Sequence, residues 1–140
     1  MTIFIDSGGW LSVVIESDQY HQAGKAYFEA IIDVGARAVT TDFVLDEVVT
    51  RLRYDIGHAT AVEFLSLIHR AADGGSLLIH RITENLWNKA EAIFLRYADV
   101  RLSFTDCTSF AWLVDHPVDE VFGYDSHFEL MGHILQPSRT

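Results

Sequence analysis

Cysteine and proline are nearly absent from this chain of 140 residues, which has one cysteine, Cys107, and two prolines. A single cysteine cannot form an internal disulfide, so the chain is not a disulfide-stabilised scaffold. Nine glycines are scattered without a period. Together with the low proline content, this pattern excludes collagen-like sequence, long linkers and solenoid repeats.

Long apolar runs are also missing. The longest are short pieces such as AIFL and LLI, whereas about 18 to 20 apolar residues are needed to cross a bilayer. The first segment, MTIFIDSGGW, has an acid at its sixth position, where an export signal would carry positive charge. We therefore expect a cytoplasmic protein that does not associate with a membrane.

Basic residues are scarce relative to acidic ones. Ten lysines and arginines stand against twenty aspartates and glutamates, so the formal charge is −10. This balance argues against broad electrostatic binding of nucleic acid, which needs a net basic surface. Either the acids form a solvated surface, which is the usual case, or some of them converge on a cation-binding pocket.

The chain does contain a large apolar fraction, 49% of its residues. Its length fits one domain, residues 1–140, in which short β-prone segments alternate with segments of helical period. The predicted strands are 2–6, 38–40, 77–82, 120–125 and a short run at 133–135. The predicted helices are 10–15, 20–35, 42 to about 56, about 59–72, 84–98 and 106–116. This order predicts an α/β protein, a three-layer α/β/α sandwich with a mostly parallel central sheet.

Three aspartates stand where β-prone segments end. Asp6 closes the first strand, Asp106 follows LSFT at the start of a helix, and Asp125 closes VFGY. In open α/β sheets, ligands bind beyond the carboxyl ends of the strands, so these side chains are expected to meet there. Aspartate is also a favoured helix N-cap, and the competing interpretation is that all three serve only as caps.

Glu47 adds a fourth acid from the helix that starts at Asp42. At 100° per residue it lies at the edge of the apolar arc of this helix, from which it can reach a cleft. Asp46 lies nearer the opposite edge and ranks below it. The alternative role for Glu47 is an exposed pair with Arg51, which would contribute only a few tenths of a kcal/mol.

A cluster of four carboxylates has a strong electrostatic consequence. Within about 4 to 6 Å of one another they would repel by several kcal/mol per pair at an effective dielectric near 20, so the cluster requires protons or cations. Oxygen ligands favour Mg²⁺ or Mn²⁺ over zinc, and such ions promote the attack of water on a phosphodiester. We therefore predict a catalytic metal site with hydrolytic nuclease chemistry, formed by Asp6, Glu47, Asp106 and Asp125.

These acids lie in four segments, FIDSGGW, TTDFVLDEVVTRL, LSFTDCTSFAW and VFGYDSHFE. In order and spacing, over nearly the whole chain, the segments resemble the PIN-domain family, and most closely its VapC-type toxin ribonucleases. The resemblance implies a PIN-like fold and a Mg²⁺- or Mn²⁺-dependent endoribonuclease whose site acids match the four residues above. It also implies the toxin of a type II toxin–antitoxin pair, with an RNA substrate, a small antitoxin partner and a homodimer.

Two supporting sets of residues follow from this interpretation. In the family a hydroxyl residue often neighbours the acids, at places that correspond here to Ser7, Thr105 and Ser109. Because the chain stays acidic even without the four site acids, any RNA contact must be local. The candidates for phosphate contacts, which otherwise are ordinary solvated charges, are Arg51, Arg53, Arg96 and Arg101.

Two other classes remain open. The acidic surface is compatible with a catalytically weak or inactive PIN-like module that binds a protein partner. A phosphoacceptor receiver fits less well, because its late-strand lysine has no counterpart among the two lysines, Lys25 and Lys89. Gly8 and Gly9 indicate a turn, since neither GxxxxGK[ST] nor GxGxxG occurs. His127 is interpreted as a supporting or surface group rather than a metal ligand.

Overall fold

The computed structural model describes residues 1–138, in which seven helices connect the strands of one sheet. The strands are β1 (Thr2–Ile5), β2 (Arg37–Thr41), β3 (Leu77–His80), β4 (Glu120–Phe122) and β5 (Leu135–Gln136). The helices are α1 (Ser7–Val14), α2 (His21–Asp33), α3 (Asp42–Asp55), α4 (His58–Asp73), α5 (Glu84–Arg96), α6 (Phe104–Asp115) and α7 (His127–Leu130). The sequence predicts a single domain over residues 1–140. Because this range includes two residues outside the described part of the chain, the single domain stays a prediction.

The sheet is parallel throughout, with the strand order β3-β2-β1-β4-β5. In the register, Phe4 of β1 lies beside Val39 of β2 and Val121 of β4. These residues are buried, as expected for central strands that are covered on both faces. The α/β class and the parallel sheet predicted from the sequence are confirmed.

Helices pack on both faces of the sheet. On one face Trp10 of α1 contacts Phe28 of α2 and Phe64 of α4. On the other face Phe4 contacts Trp112 of α6 and Phe128 of α7. This is the three-layer α/β/α arrangement, and it places the amino-terminal ends of α1, α3 and α6 near the carboxyl edge of the sheet.

Helix α1 differs from the prediction, in which residues 7–9 form a turn. Gly8 and Gly9 are helical, and the helix begins directly after Asp6. A Cβ at Gly9 would lie 2.4 Å from the carbonyl oxygen of Phe122, whereas one at Gly8 would be in ordinary contact with Tyr124. Glycine at position 9 therefore allows α1 to lie close against β4, a long-range requirement that the local sequence does not reveal.

Several element boundaries also differ. Helix α6 begins at Phe104 rather than Asp106, because the Ser103 side chain caps it. Strand β4 ends at Phe122, three residues before Asp125, so the chain leaves the sheet before it reaches the acid. Strand β3 covers 77–80 and is shorter than the predicted 77–82. Strand β5 covers 135–136 and is shifted from the predicted 133–135.

Candidate functional site

The structure brings the four predicted acids together at the carboxyl edge of the sheet. Asp6 follows β1, Asp125 follows β4, Glu47 lies in the second turn of α3, and Asp106 lies in the first turn of α6. The negative charges of the other three all act on Asp6. The predicted convergence is thus present in the structure, while the catalytic and ligand roles of these residues stay predictions.

Asp6 is the most buried member of this acidic cluster, with 4% of its surface exposed. Its backbone N–H donates to the Phe122 carbonyl oxygen at 3.0 Å, which ties the end of β1 to β4. A Cβ at Gly123 would come within 3.2 Å of the Asp6 Cβ, so the carboxylate lies directly against the β4 backbone. Although Asp6 occupies the N-cap position of α1, its side chain makes no capping hydrogen bond, and a role as a mere cap is wrong for this residue.

Burial raises the pKa of Asp6 from 3.8 to about 8, and the charges of Asp106, Glu47 and Asp125 contribute to the increase. A hydrogen bond from the Ser7 backbone opposes the shift without reversing it. A carboxylate in this position is unstable as an anion unless positive charge is supplied nearby. Strongly shifted pKa values with identifiable causes are typical of functional sites.

Asp106 is held in a reciprocal capping box at the start of α6. Its Oδ2 accepts from the Ser103 backbone N–H at 3.0 Å, and its own N–H donates to Ser103 Oγ at 3.0 Å. Burial raises the pKa of Asp106, the backbone hydrogen bond of Ser103 lowers it, and the charges of Asp125 and Glu47 raise it further. Asp106 therefore does contribute to a cap, but from the third helical position, and it also belongs to the acidic cluster.

Glu47 is oriented by a hydroxyl group from the neighbouring helix. Ser7 Oγ donates to Glu47 Oε1 at 2.9 Å, and Ser7 itself is buried. Within residues 1–138 Glu47 forms no ion pair with Arg51, so the alternative role as a surface pair is wrong. Asp46, which ranked below Glu47, is exposed and lies on another part of α3 with Asp42 and Leu45.

The other two predicted hydroxyl positions behave differently. The Thr105 backbone oxygen accepts from the Thr108 hydroxyl at 2.6 Å. Ser109 is fully buried, and its Oγ has no hydrogen-bond partner within the described residues. Of the three predicted hydroxyl residues, Ser7 alone has a side-chain hydrogen bond to one of the four acids within residues 1–138.

Asp125 lies in the connection between β4 and α7. Its Oδ1 accepts from the backbone N–H of His127 at 2.9 Å, and the His127 ring atom Nδ1 lies 3.0 Å from the same oxygen. One ligand atom from each of Asp106, Asp125 and His127 can be chosen so that all three are within 4.8 Å of one another. Sequence reasoning placed His127 outside the ligand set, and the only signal available was its position two residues after Asp125.

The four acids fit a bound divalent cation. They offer carboxylate oxygens, and two of them have raised pKa values because burial and mutual repulsion disfavour their charged forms. Within residues 1–138 none of the four forms an ion pair with lysine or arginine. A divalent cation would supply the missing positive charge, and carboxylate oxygens are the ligands that hard cations prefer. The predicted magnesium or manganese site is therefore chemically consistent with the observed donors.

The four arginines considered for phosphate contacts are all exposed, at positions 51, 53, 96 and 101. Arg96 lies over the Tyr97 ring, with its guanidinium carbon 5.4 Å from the ring centroid. Their role in RNA binding stays a prediction.

An apolar hollow of about 460 Å³ lies elsewhere in the molecule, at the amino-terminal ends of β2 and β3. Its lining includes Trp10, Phe28, Ile31 and Leu77, and no acid contributes to it. The chemistry suggested by the acidic cluster is therefore not located in this hollow.

Comparison with known proteins agrees with this geometry. No family model matches the chain. It is 24% identical over 132 residues to the 23S rRNA-specific endonuclease VapC20 of Mycobacterium tuberculosis, an alignment that covers 94% of this chain and 95% of that protein. The crystal structure of M. tuberculosis VapC20, described as a Sarcin-Ricin loop cleaving toxin, superposes with a TM-score of 0.84 at 23% identity and covers 94% of this chain and 96% of the other.

Two further crystal structures share the fold at lower identity. VapBC2 from Rickettsia felis, bound to a DNA fragment from their promoter, gives a TM-score of 0.69 at 8% identity over 97% of this chain and 98% of the other. FitAcB from Neisseria gonorrhoeae gives 0.60 at 10% identity over 96% of each chain. The resemblance to VapC-type PIN-domain proteins that the four motifs predict is confirmed, and so is the PIN-like fold. None of the helices within residues 1–138 combines the length and the apolar character that a membrane span requires.

Proposed function

We propose that this protein is an endoribonuclease that hydrolyses RNA phosphodiesters with the help of a divalent metal ion. One observation carries the proposal: four carboxylates from separate segments converge at the carboxyl edge of the sheet, with no lysine or arginine paired to any of them within residues 1–138. The similarity to an RNA-specific endonuclease over 94% of the chain supports RNA as the substrate class.

The residues that would hold the ion are Asp6, Glu47, Asp106 and Asp125, and Mg²⁺ or Mn²⁺ are the ions that this oxygen-rich set favours. A divalent ion bound there would supply positive charge for the phosphodiester and its leaving oxygen, and would make water a better nucleophile. These four acids are the residues we assign to catalysis.

The protein's own contribution is to hold these oxygens in place. Asp6 is fixed by the tie between β1 and β4, and Ser7 donates to Glu47 across the gap between α1 and α3. Ser103 holds one oxygen of Asp106 through its backbone N–H. Such preorganisation reduces the free energy spent on orienting charged groups when the substrate binds.

We further propose that the protein is the toxin of a type II toxin–antitoxin pair, which acts in the cytoplasm as a homodimer and is neutralised by a small antitoxin. The similarity to a protein described as a toxin, and to the VapBC2 and FitAcB structures, supports this assignment. In such a system the antitoxin would limit RNA cleavage until it is removed.

The test is an RNA cleavage assay of the Asp6→Asn and Asp106→Asn variants with Mg²⁺ or Mn²⁺. We expect both substitutions to lower the rate by at least about 100-fold, because each removes a charged ligand of the ion. Asp33→Asn is the matched control, since Asp33 is exposed at the end of α2, and it should cut like the parent.

The proposal is wrong if both variants cut as fast as the parent and EDTA makes no difference. Absence of divalent-ion binding near neutral pH, measured by calorimetry, together with a stable complex with a small protein, would instead support the inactive binding module.

A further inference from the structure

His127 lies inside the acidic cluster rather than beside it. It is the first residue of α7, two positions after Asp125, and it is half-buried together with Asp106 and Asp125. One atom from each of these three residues lies within 4.8 Å of the other two. The cluster therefore contains a nitrogen donor as well as carboxylate oxygens.

The environment of His127 Nδ1 needs an explanation. This atom is buried and lies 3.0 Å from Asp125 Oδ1, yet it has no hydrogen-bond partner within the described residues. The contact is an ion pair when the ring is protonated; when Nδ1 carries no proton, two lone pairs face each other, which is unfavourable, and buried polar atoms in folded proteins are normally satisfied. A cation shared by the nitrogen and the oxygen would satisfy both atoms.

A purely orienting role for the His127 ring explains less. The backbone N–H of His127 already donates to Asp125 Oδ1 at 2.9 Å and fixes that side chain. The ring is not required for this contact, because any residue other than proline at position 127 supplies the same N–H. The position of Nδ1 therefore indicates a further function of the side chain.

The distances are compatible with binding to a single ion. Imidazole nitrogen and carboxylate oxygen bind divalent metal cations at about 2.0 to 2.2 Å. Two ligand atoms on one ion are therefore about 3 Å apart when they are adjacent and about 4.3 Å apart when they are opposite. One ligand atom from each of the three residues lies within 4.8 Å of the other two. His127 Nδ1 and Asp125 Oδ1 are 3.0 Å apart, which matches the separation of adjacent ligands.

We propose that His127 binds the catalytic cation through Nδ1, together with Asp106 and Asp125. The inference rests on the proposed function and refines its metal site from an all-oxygen set to a mixed oxygen and nitrogen set. Imidazole binds transition metals such as Mn²⁺ and Co²⁺ more favourably than it binds Mg²⁺. The site should therefore prefer Mn²⁺ to Mg²⁺, and that preference should depend on His127.

Calorimetry with the metals alone tests this assignment. The dissociation constants of Mn²⁺ and Mg²⁺ are measured for the parent, for His127→Gln and for His127→Phe. His58→Gln is the control, because His58 is exposed at the start of α4. Removing the ring nitrogen should weaken Mn²⁺ binding by about 10- to 100-fold and Mg²⁺ binding by less than about threefold, so the ratio of the two constants falls at least several-fold.

Two results of this experiment would overturn the assignment. Equal weakening of both metals would mean that the ring only positions Asp125. Unchanged binding of both metals would mean that it has no role in the site. Circular dichroism of each variant checks that the fold is retained. Because glutamine and phenylalanine differ in polarity, a loss of Mn²⁺ binding common to both variants is due to the missing imidazole.

Proton NMR of the Co²⁺-loaded protein gives a second readout that does not depend on activity. A ligand imidazole bound through Nδ1 keeps its Nε2–H, which should give a strongly shifted, exchangeable resonance in the parent and in His58→Gln. That resonance should be missing from both His127 variants. Its absence from the parent, or its persistence in the variants, would refute the ligand role.

The outcome also separates this inference from the proposed function. If the parent binds no divalent ion and cuts no RNA, both proposals fail. If the parent cuts RNA with Mn²⁺ and Mg²⁺, and the Asp6→Asn variant does not, but the metal ratio is unchanged in His127→Gln, only the assignment of His127 is wrong.

Discussion

The buried carboxyl group of Asp6 should make the metal-free protein less stable as the pH rises. Its pKa is raised from 3.8 to about 8 in the folded state, so between these values the folded protein keeps a proton that the unfolded chain has released. The free energy of unfolding therefore falls with increasing pH in this window, by at most about 1.4 kcal/mol per pH unit.

Replacing Asp6 with asparagine removes this dependence, because an amide does not ionise. Between pH 4.5 and 7.5 the stability of Asp6→Asn relative to the parent should increase by up to about 4 kcal/mol, since three pH units each contribute about 1.4 kcal/mol. A buried amide with imperfect hydrogen bonds costs about 1 to 3 kcal/mol at every pH. The change in the difference with pH is therefore the informative quantity, rather than its value at one pH.

Urea unfolding in EDTA at several pH values measures this change, with Asp33→Asn as the control that should follow the parent. Saturating Mn²⁺ should shift the difference at pH 7.5 back in favour of the parent, because an ion present at 100 times its dissociation constant stabilises the parent by about 2.7 kcal/mol and the variant by less. A difference between Asp6→Asn and the parent that stays constant from pH 4.5 to 7.5 would refute the reasoning.

Two further predictions concern the segments that hold the site. Gly9→Ala should destabilise the protein by about 1 to 3 kcal/mol in urea unfolding, because its Cβ would lie 2.4 Å from the Phe122 carbonyl oxygen. Gly8→Ala is the control and should be neutral or stabilising. Equal effects of the two substitutions would contradict the close approach of α1 and β4. Ser103→Ala and Thr83→Ala each remove a side-chain cap and should each cost about 1 kcal/mol of stability. In calorimetry only Ser103→Ala should weaken Mn²⁺ binding, and an equal effect of Thr83→Ala would argue against the proposed link between the α6 cap and the metal site.

The sequence was sufficient to predict the architecture because its main signals are local. Alternation of β-prone and helical segments predicted a parallel sheet between helices, and the rule that ligands bind at the carboxyl ends of strands brought Asp6 and Asp125 to one edge. The position of Glu47 at the margin of an apolar helical face predicted that it could reach the same edge. These inferences needed only spacing and the geometry of regular elements.

What the sequence could not provide depends on contacts between distant segments. Gly8 and Gly9 follow a strand, and the local sequence predicts a turn there. In the structure both residues are helical, and the close packing of α1 on β4 requires glycine at position 9. In the same way, a histidine two residues after Asp125 has no fixed orientation until the turn between β4 and α7 is formed. Asp125 Oδ1 is already bound by the His127 backbone N–H, so the ring, whose Nδ1 lies 3.0 Å from the same oxygen, is not needed to orient Asp125, and this is the reason for assigning it to the proposed cation.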